Sequence, residues 1–162
     1  MTHPDPVASF WRAFVEAADG ADEARFTGAF AFGDGAAMAD ELAALVLQGA
    51  KRATASARWA YEAKGEALPR PGDLSIVTDG SGTPLCVIET VSVEIVRFRD
   101  VGAAFAHAEG EGDRSLDYWR RAHRAFFTRE CAAAGRAFEE SMPVVCERFE
   151  VRFPLPEARG GR

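Results

Sequence analysis

Leu85 to Phe98 reads LCVIETVSVEIVRF. Val91, Val93 and Ile95 alternate with Ser92 and Glu94. β-branched residues at period two predict a strand with one buried face. The run exceeds the usual strand of about 5–6 residues, so a bend or bulge is expected, of the kind small barrels use. Just before it, Leu74 to Thr78 reads as a strand, and Asp79 to Gly82 (DGSG) as a hairpin turn. Val144 to Phe153 (VVCERFEVRF) alternates again and reads as a closing strand. Arg25 to Phe32 (RFTGAFAF) is short, apolar and aromatic, either a strand or an irregular packed segment. Leu68 to Asp73 (LPRPGD) is a turn.

Helical periodicity surrounds these strands. Asp5-Pro6 reads as an N-cap and first helical position. The helix should carry Phe10, Trp11, Phe14 and Val15 as a docked stripe and stop near Gly20. Met38, Leu42, Leu45 and Val46 fall on one face of a second helix, closed by Gly49 in a left-handed cap. KRATAS (51–56) then leaves as an extended segment. Val101 to Ala108 predicts a short helix, ended by the glycines of EGEGD (109–113). Ser115 caps a long helix bearing Trp119, Phe126 and Phe127. The reading is a mixed α+β domain with a small, mostly antiparallel sheet or barrel. It divides into an N-terminal helix packed on the domain (1–24), the domain proper (25–155) and a polar tail (156–162).

A chain of 162 residues is one ordinary domain and should bury roughly 70% of its unfolded surface, without help from disulfide or metal. Apolar residues at 48% and charged residues at 27% exclude global disorder and a solvated coiled coil. No apolar run reaches the roughly 18 residues of a spanning helix. MTHPDPVASFWR has no basic start ahead of an apolar stretch, so no secretory signal is expected and the cytosol is the expected location. A net charge of −6 argues against coating long duplex nucleic acid through phosphates. Cys86, Cys131 and Cys146 are too few and scattered for a disulfide framework and fit a reducing compartment. His3, His107 and His123 form no zinc spacing with them, so no metal is expected.

Three stretches could carry chemistry. In Gly49 to Thr54 (GAKRAT), Lys51 and Thr54 follow a helix end closely enough to share a pocket; equally, a cation there complements the helix dipole. His107 to Asp113 (HAEGEGD) holds three acids between glycines that let backbone approach a ligand. Buried, one of those acids carries a raised pKa; solvated, they cap the following helix. Arg114 to Arg129 is the only basic concentration, with Arg114, Arg120, Arg121, Arg124 and Arg129. The arginines either meet phosphate or form a solvated face, and the solvated face is the commoner outcome. Trp119 with His123, like Trp59 with Tyr61, is either a core pair or a shelf on which a base stacks.

Taken in order, these segments resemble the ASCH domain, the activating-signal-cointegrator homology family, whose fold is a PUA-like β-barrel. Gly49, Lys51 and Thr54 match its G-x-K-x-x-T signature, and LPRPGD its P-x-x-G-D turn. CVIETVSVEIVRFRDV (86–101) and FEVRF (149–153) resemble its strands. FAHAEGEGDRSLDYWRRAHRAFF (105–127) is similar to a segment of its longer bacterial branch. The resemblance covers about residues 25 to 155. Members include predicted RNA-binding proteins, some nucleases and a compact bacterial branch that hydrolyses N4-acetylcytidine. By that branch's pattern the catalytic residues are Lys51, Thr54 and Glu111. The branch has an arginine two residues after the threonine; here that position is Ser56, and the nearest arginine is Arg58. Candidate substrate contacts are Ser56, Arg58, Trp59, Glu109, Trp119 and His123, with no cofactor and no metal. The implied partner is a nucleoside or short single-stranded RNA.

For amide hydrolysis Thr54 would attack the acyl carbon and pass its proton to a base. Lys51 can be that base only if burial lowers its pKa to about 7–8, since at an ordinary value roughly one lysine in 2,500 is neutral at pH 7. Otherwise Lys51 stays charged and stabilises the oxyanion, and Glu111 is the base. Both versions require the three side chains to line one cleft. Alanine at any of them is expected to reduce turnover by orders of magnitude and leave thermal stability nearly unchanged. A non-catalytic RNA reader or a ribonuclease is the alternative, distinguished by steep salt dependence.

Overall fold

The computed structural model describes residues 5–18 and 21–154. Helix α1 (Pro6–Ala17) starts at Asp5, whose carboxylate accepts from the Val7 amide. Gly20, where this helix was expected to stop, lies outside the described residues, as do His3 and the 156–162 tail. Then follow β1 (Phe26–Phe30), α2 (Ala36–Leu47), β2 (Ala53–Ala57), α3 (Arg58–Lys64) and β3 (Leu74–Thr78). The chain continues through β4 (Pro84–Arg97), α4 (Ala103–Glu109), α5 (Leu116–Ala133) and β5 (Pro143–Phe153). Helix α3 is an element the sequence reading missed; its signal was Gly65, which closes it at φ 68°.

The strands form one sheet in the order β1-β3-β4-β5-β2. β1 pairs with β3 in parallel, and the other three pairings are antiparallel. The sheet is mixed and open, which corrects the closed barrel expected from the sequence. β1 and β2 stand at opposite edges instead of pairing with each other. β4 is bulged, as its length suggested: Thr90 pairs with Phe149 but Ser92 with Arg148, leaving Val91 as the extra residue. Val91 is 43% and Ile95 41% exposed, so the alternation that marked the strand does not bury its apolar side here.

Apolar residues pack on both faces of the sheet. Trp11 and Phe14 of α1 lie against Leu74, Ile76 and Val87. Ala43 and Val46 of α2 lie against Val77, Cys86 and Ile88. Neighbours such as Ile76 and Val77 thus enter different clusters, as strand geometry requires. A third cluster joins Ala53 and Ala57 of β2 and Val144 and Cys146 of β5 to Phe98, Phe105, Trp119 and Phe127. In α2 Val46 is buried as expected, but it is joined by Ala39 and Ala43, while Leu42 and Leu45 are half-buried and Met38 is 40% exposed. Small residues seat the helix close to the sheet and leave Met38 and Leu42 to line a cavity. Among the described residues no helix is long and apolar enough to cross a membrane.

Candidate active site

Lys51 is placed by the end of α2. Gly49 takes φ 84°, and the amides of Ala50 and Lys51 both bond back to the Leu45 carbonyl. The chain is then tied to α4 and β5, since Arg52 N–H donates to Ala108 O at 2.7 Å and Phe149 N–H to Arg52 O at 3.0 Å. Gly110, the left-handed cap of α4 at φ 72°, makes the approach possible. A Cβ there would lie 2.6 Å from the Ala50 carbonyl carbon and 2.9 Å from Lys51 N. Only glycine lets the EGEGD turn sit on the GAKRAT strand start.

This contact brings the ammonium of Lys51 to both carboxylates. Nζ donates to Glu109 Oε1 at 2.9 Å, to Glu111 Oε2 at 2.8 Å and to the Ala53 carbonyl at 2.9 Å. All three of its hydrogens are engaged. Lys51 is 1% exposed and lies 5.2 Å over the Phe32 ring. Glu109 is equally buried and accepts two further bonds, from Trp119 Nε1 at 2.6 Å and His123 Nε2 at 3.1 Å. Glu111, 19% exposed at its side chain, has the opening to solvent. EGEGD is therefore not a solvated loop at its first two acids, whereas Asp113 is exposed and bonds the Ser115 amide at the start of α5.

The electrostatics separate the two carboxylates. Burial pulls Lys51 down, but the two carboxylates outweigh it, and its pKa stands above the ordinary lysine value. That direction, with three acceptors around Nζ, favours the charged form and the version in which Lys51 is not the base. Burial raises Glu109, yet Lys51 and His123 together hold it well below the usual carboxylate range. Burial also raises Glu111; Lys51 pulls the other way, the Glu109 charge adds to the rise, and the net is upward. One acid is held ionised, and its neighbour two residues on binds its proton more tightly than an ordinary glutamate.

A cavity of about 130 Å³ opens beside this cluster. Lys51, Thr54, Glu109, Glu111 and His123 line it. Its apolar wall is Phe32, Met38, Leu42, Tyr118 and Phe126, and Arg129 stands at the rim, paired to Asp34 at 3.0 Å. The volume is close to the roughly 150 Å³ that accepts one benzene ring. Its wall draws on Phe32, just past β1, and on Thr54 and Ala55 of β2. Edge strand β2 and the segment that follows edge strand β1 therefore contribute to the hollow.

The remaining predicted contacts lie elsewhere. Ser56 Oγ is 2.9 Å from Tyr61 Oη, Arg58 pairs along α3 with Glu62, and the guanidinium of Arg136 covers Trp59 at 4.4 Å. None of the three lines the cavity: Ser56 is engaged by Tyr61, and α3 carries Arg58 and Trp59 away after β2 ends at Ala57. Trp119 is core: it is 2% exposed and stacked on His123 at 4.2 Å, so it offers no shelf for a base. The sequence reading missed Phe32, Met38, Leu42, Tyr118 and Phe126 as cavity residues. Their signal was periodic: Tyr118, Ala122, Phe126 and Arg129 recur on one face of α5. Glu109, Glu111 and His123 also present donor atoms within 4.8 Å of one another, as a divalent cation would need. The cation they hold, however, is the Lys51 ammonium, which touches both carboxylates and would repel a metal.

Comparison with known proteins agrees with this architecture. Residues 28–152 match the profile of the ASCH domain. An ASCH domain from Lactobacillus crispatus JV V101 is 36% identical, superposes with a TM-score of 0.86, and is covered over 97% of its chain by 94% of this one. A protein from Enterococcus faecalis V583 is also 36% identical, with a TM-score of 0.82 over 90% of this chain and 87% of its own. No curated protein matches. These solved relatives fit a PUA-like fold, here with an open five-stranded sheet, and the chain belongs to the ASCH domain family.

Proposed function

We propose that this ASCH domain hydrolyses the amide of an N-acylated cytidine-type base, with Thr54 as nucleophile and Glu111 as the proton-transfer residue. One observation carries the reading. A carboxyl raised in proton affinity, a fully engaged buried ammonium and a threonine hydroxyl line one cavity the size of a single ring.

Thr54 Oγ1 attacks the acyl carbon while its proton passes to Glu111. The C=O π pair moves to oxygen as an oxyanion. Protonation weakens Glu111 as an acceptor for Lys51, so the N–H that pointed at it becomes available to the oxyanion. Collapse breaks the C–N bond, and Glu111 returns the proton to the exocyclic nitrogen of the leaving base. Water then cleaves the acyl-threonine ester, again through Glu111. Phe32, Met38, Leu42 and Phe126 give the ring and acyl group an apolar wall. A nucleoside or a short single strand is the proposed partner, and the cytosol the proposed compartment.

The test is incubation of the pure protein with a panel of N4-acylated cytidines and a short RNA, followed by chromatography. Release of cytidine from one member supports the reading. Intact nucleosides with cleaved or tightly retained RNA overturn it in favour of a ribonuclease or RNA reader.

A further inference from the structure

His123 belongs to the buried cluster, yet the hydrolysis above gives it no task. Its surroundings restrict its state. Nδ1 is 3.0 Å from the Trp119 carbonyl, which can only accept. Nε2 is 3.1 Å from Glu109 Oε2, a carboxylate held ionised by Lys51. A neutral imidazole carries one N–H and must point a lone pair at one of these oxygens, whichever tautomer it adopts. Only the imidazolium donates to both. The ring is stacked on Trp119 at 4.2 Å and packed against Phe127, which leaves little room to turn away. The charged groups around it are Glu109 at the end of α4 and Glu111 in the next turn, with Lys51 bonded to both.

We propose that His123 is a positioning residue held as an imidazolium, a second buried cation that shares Glu109 with Lys51 and so leaves the Lys51 ammonium shared between Glu109 and Glu111. With both cations present, two positive and two negative groups balance in the cluster. When His123 becomes neutral, Glu109 faces a lone pair and draws on Lys51 alone. Glu111 then loses part of its cationic support and binds its proton more tightly. The upward shift of His123 fits this arrangement: burial would lower it, and the hydrogen bond and charge of Glu109, then the charge of Glu111, reverse the effect. The inference deepens the hydrolase reading and rests on it only for the consequence in turnover.

The experiment is NMR on the full chain labelled with ¹⁵N and ¹³C. Long-range ¹H–¹⁵N correlations report the protonation of each imidazole, and glutamate ¹³Cδ shifts report each carboxyl. His123 is assigned by loss of its signals in H123Q, or by through-space contact with the Trp119 ring. The expected result at pH 7 is the imidazolium pattern at both nitrogens of His123, and an upward shift of the Glu111 titration in H123Q. A neutral imidazole in the wild type at pH 7 overturns the proposal, as does a Glu111 titration unmoved by the substitution. Neither readout needs a substrate, so both keep their meaning if no acylated cytidine is hydrolysed. With N4-acetylcytidine as substrate, kcat should fall along an alkaline limb that follows the His123 titration, and H123Q should show a lower profile without that limb. An unchanged limb in H123Q also overturns the proposal.

Discussion

The two faces of α5 carry charge in opposite ways. On the inner face, His123 and Trp119 both donate to Glu109, and Lys51 and Glu109 are out of water, with Glu111 at the opening. On the outer face, Asp117, Arg120, Arg121 and Arg124 surround an open hollow of about 400 Å³. Arg124 bonds the exposed Glu140 and lies over the Phe98 and Phe138 rings, while Arg121 lies over Tyr118. Outer charges keep their hydration and are screened by salt, so exposed pairs contribute about 0–1 kcal/mol. Inner charges are compensated mainly by one another. Removing one partner of a buried pair costs about 3–5 kcal/mol, because the other is left uncompensated. The same helix therefore supplies a solvated face and a face that packs on a buried charged cluster.

The largest effect expected is catalytic. Glu111→Gln and Thr54→Ala should each lower kcat on an acylated cytidine by roughly 10²–10⁴. Thr54→Ala should leave the melting temperature nearly unchanged, whereas Glu111→Gln, which takes one carboxylate from the buried Lys51, should lower it. Full turnover in either variant breaks the assignment of the inner face as the working one. Lys51→Ala should lose activity and also about 3–5 kcal/mol of stability in denaturant titration. This revises the sequence-based expectation of unchanged stability, because Glu109 would keep its charge in a buried site with one cation fewer. A loss below about 1 kcal/mol would put the inner cluster on a par with exposed pairs.

Gly110→Ala should cost about 1–3 kcal/mol, since it strains a left-handed position against the Ala50–Lys51 backbone. Wild-type stability there would mean that the turn can shift without disturbing the cluster. The pH dependence sharpens the comparison further. His123 has a raised folded value, so its contribution is fully present below its ordinary value of 6.5 and is lost as pH rises through the folded value. The stability difference between wild type and H123Q should therefore shrink on the alkaline side; a pH-independent difference would contradict the raised value. The smallest effects belong to the outer face. Arg120→Ala and Arg121→Ala should change stability by within about 0.5 kcal/mol. Turnover of a nucleoside should be nearly flat between 50 and 200 mM salt, roughly the range over which a strand reader loses affinity steeply.

Much of this was legible in local patterns. Asp5, Gly49 and Ser115 marked helix ends, period-two runs marked β4 and β5, and a short apolar run before the DGSG turn marked β3. Caps and strand alternation depend on neighbours a few residues away, so the chain itself declares them. Family resemblance drew attention to Lys51, Thr54 and Glu111, which line one cavity. What stayed hidden depended on partners far along the chain. That β1 and β2 remain apart, that Trp119 is core, and that Val91 and Ile95 face outward follow from how the layers pack.

The contrast between Glu109 and Glu111 shows the division most sharply. The sequence alone established two acids flanking a glycine near a helix end, and a lysine able to meet them. Their proton affinities were settled by the folded surroundings, where Trp119, His123 and Lys51 converge on one acid and solvent reaches the other. Desolvation and Coulomb attraction act through space at a few ångströms, and only the packed molecule sets those distances.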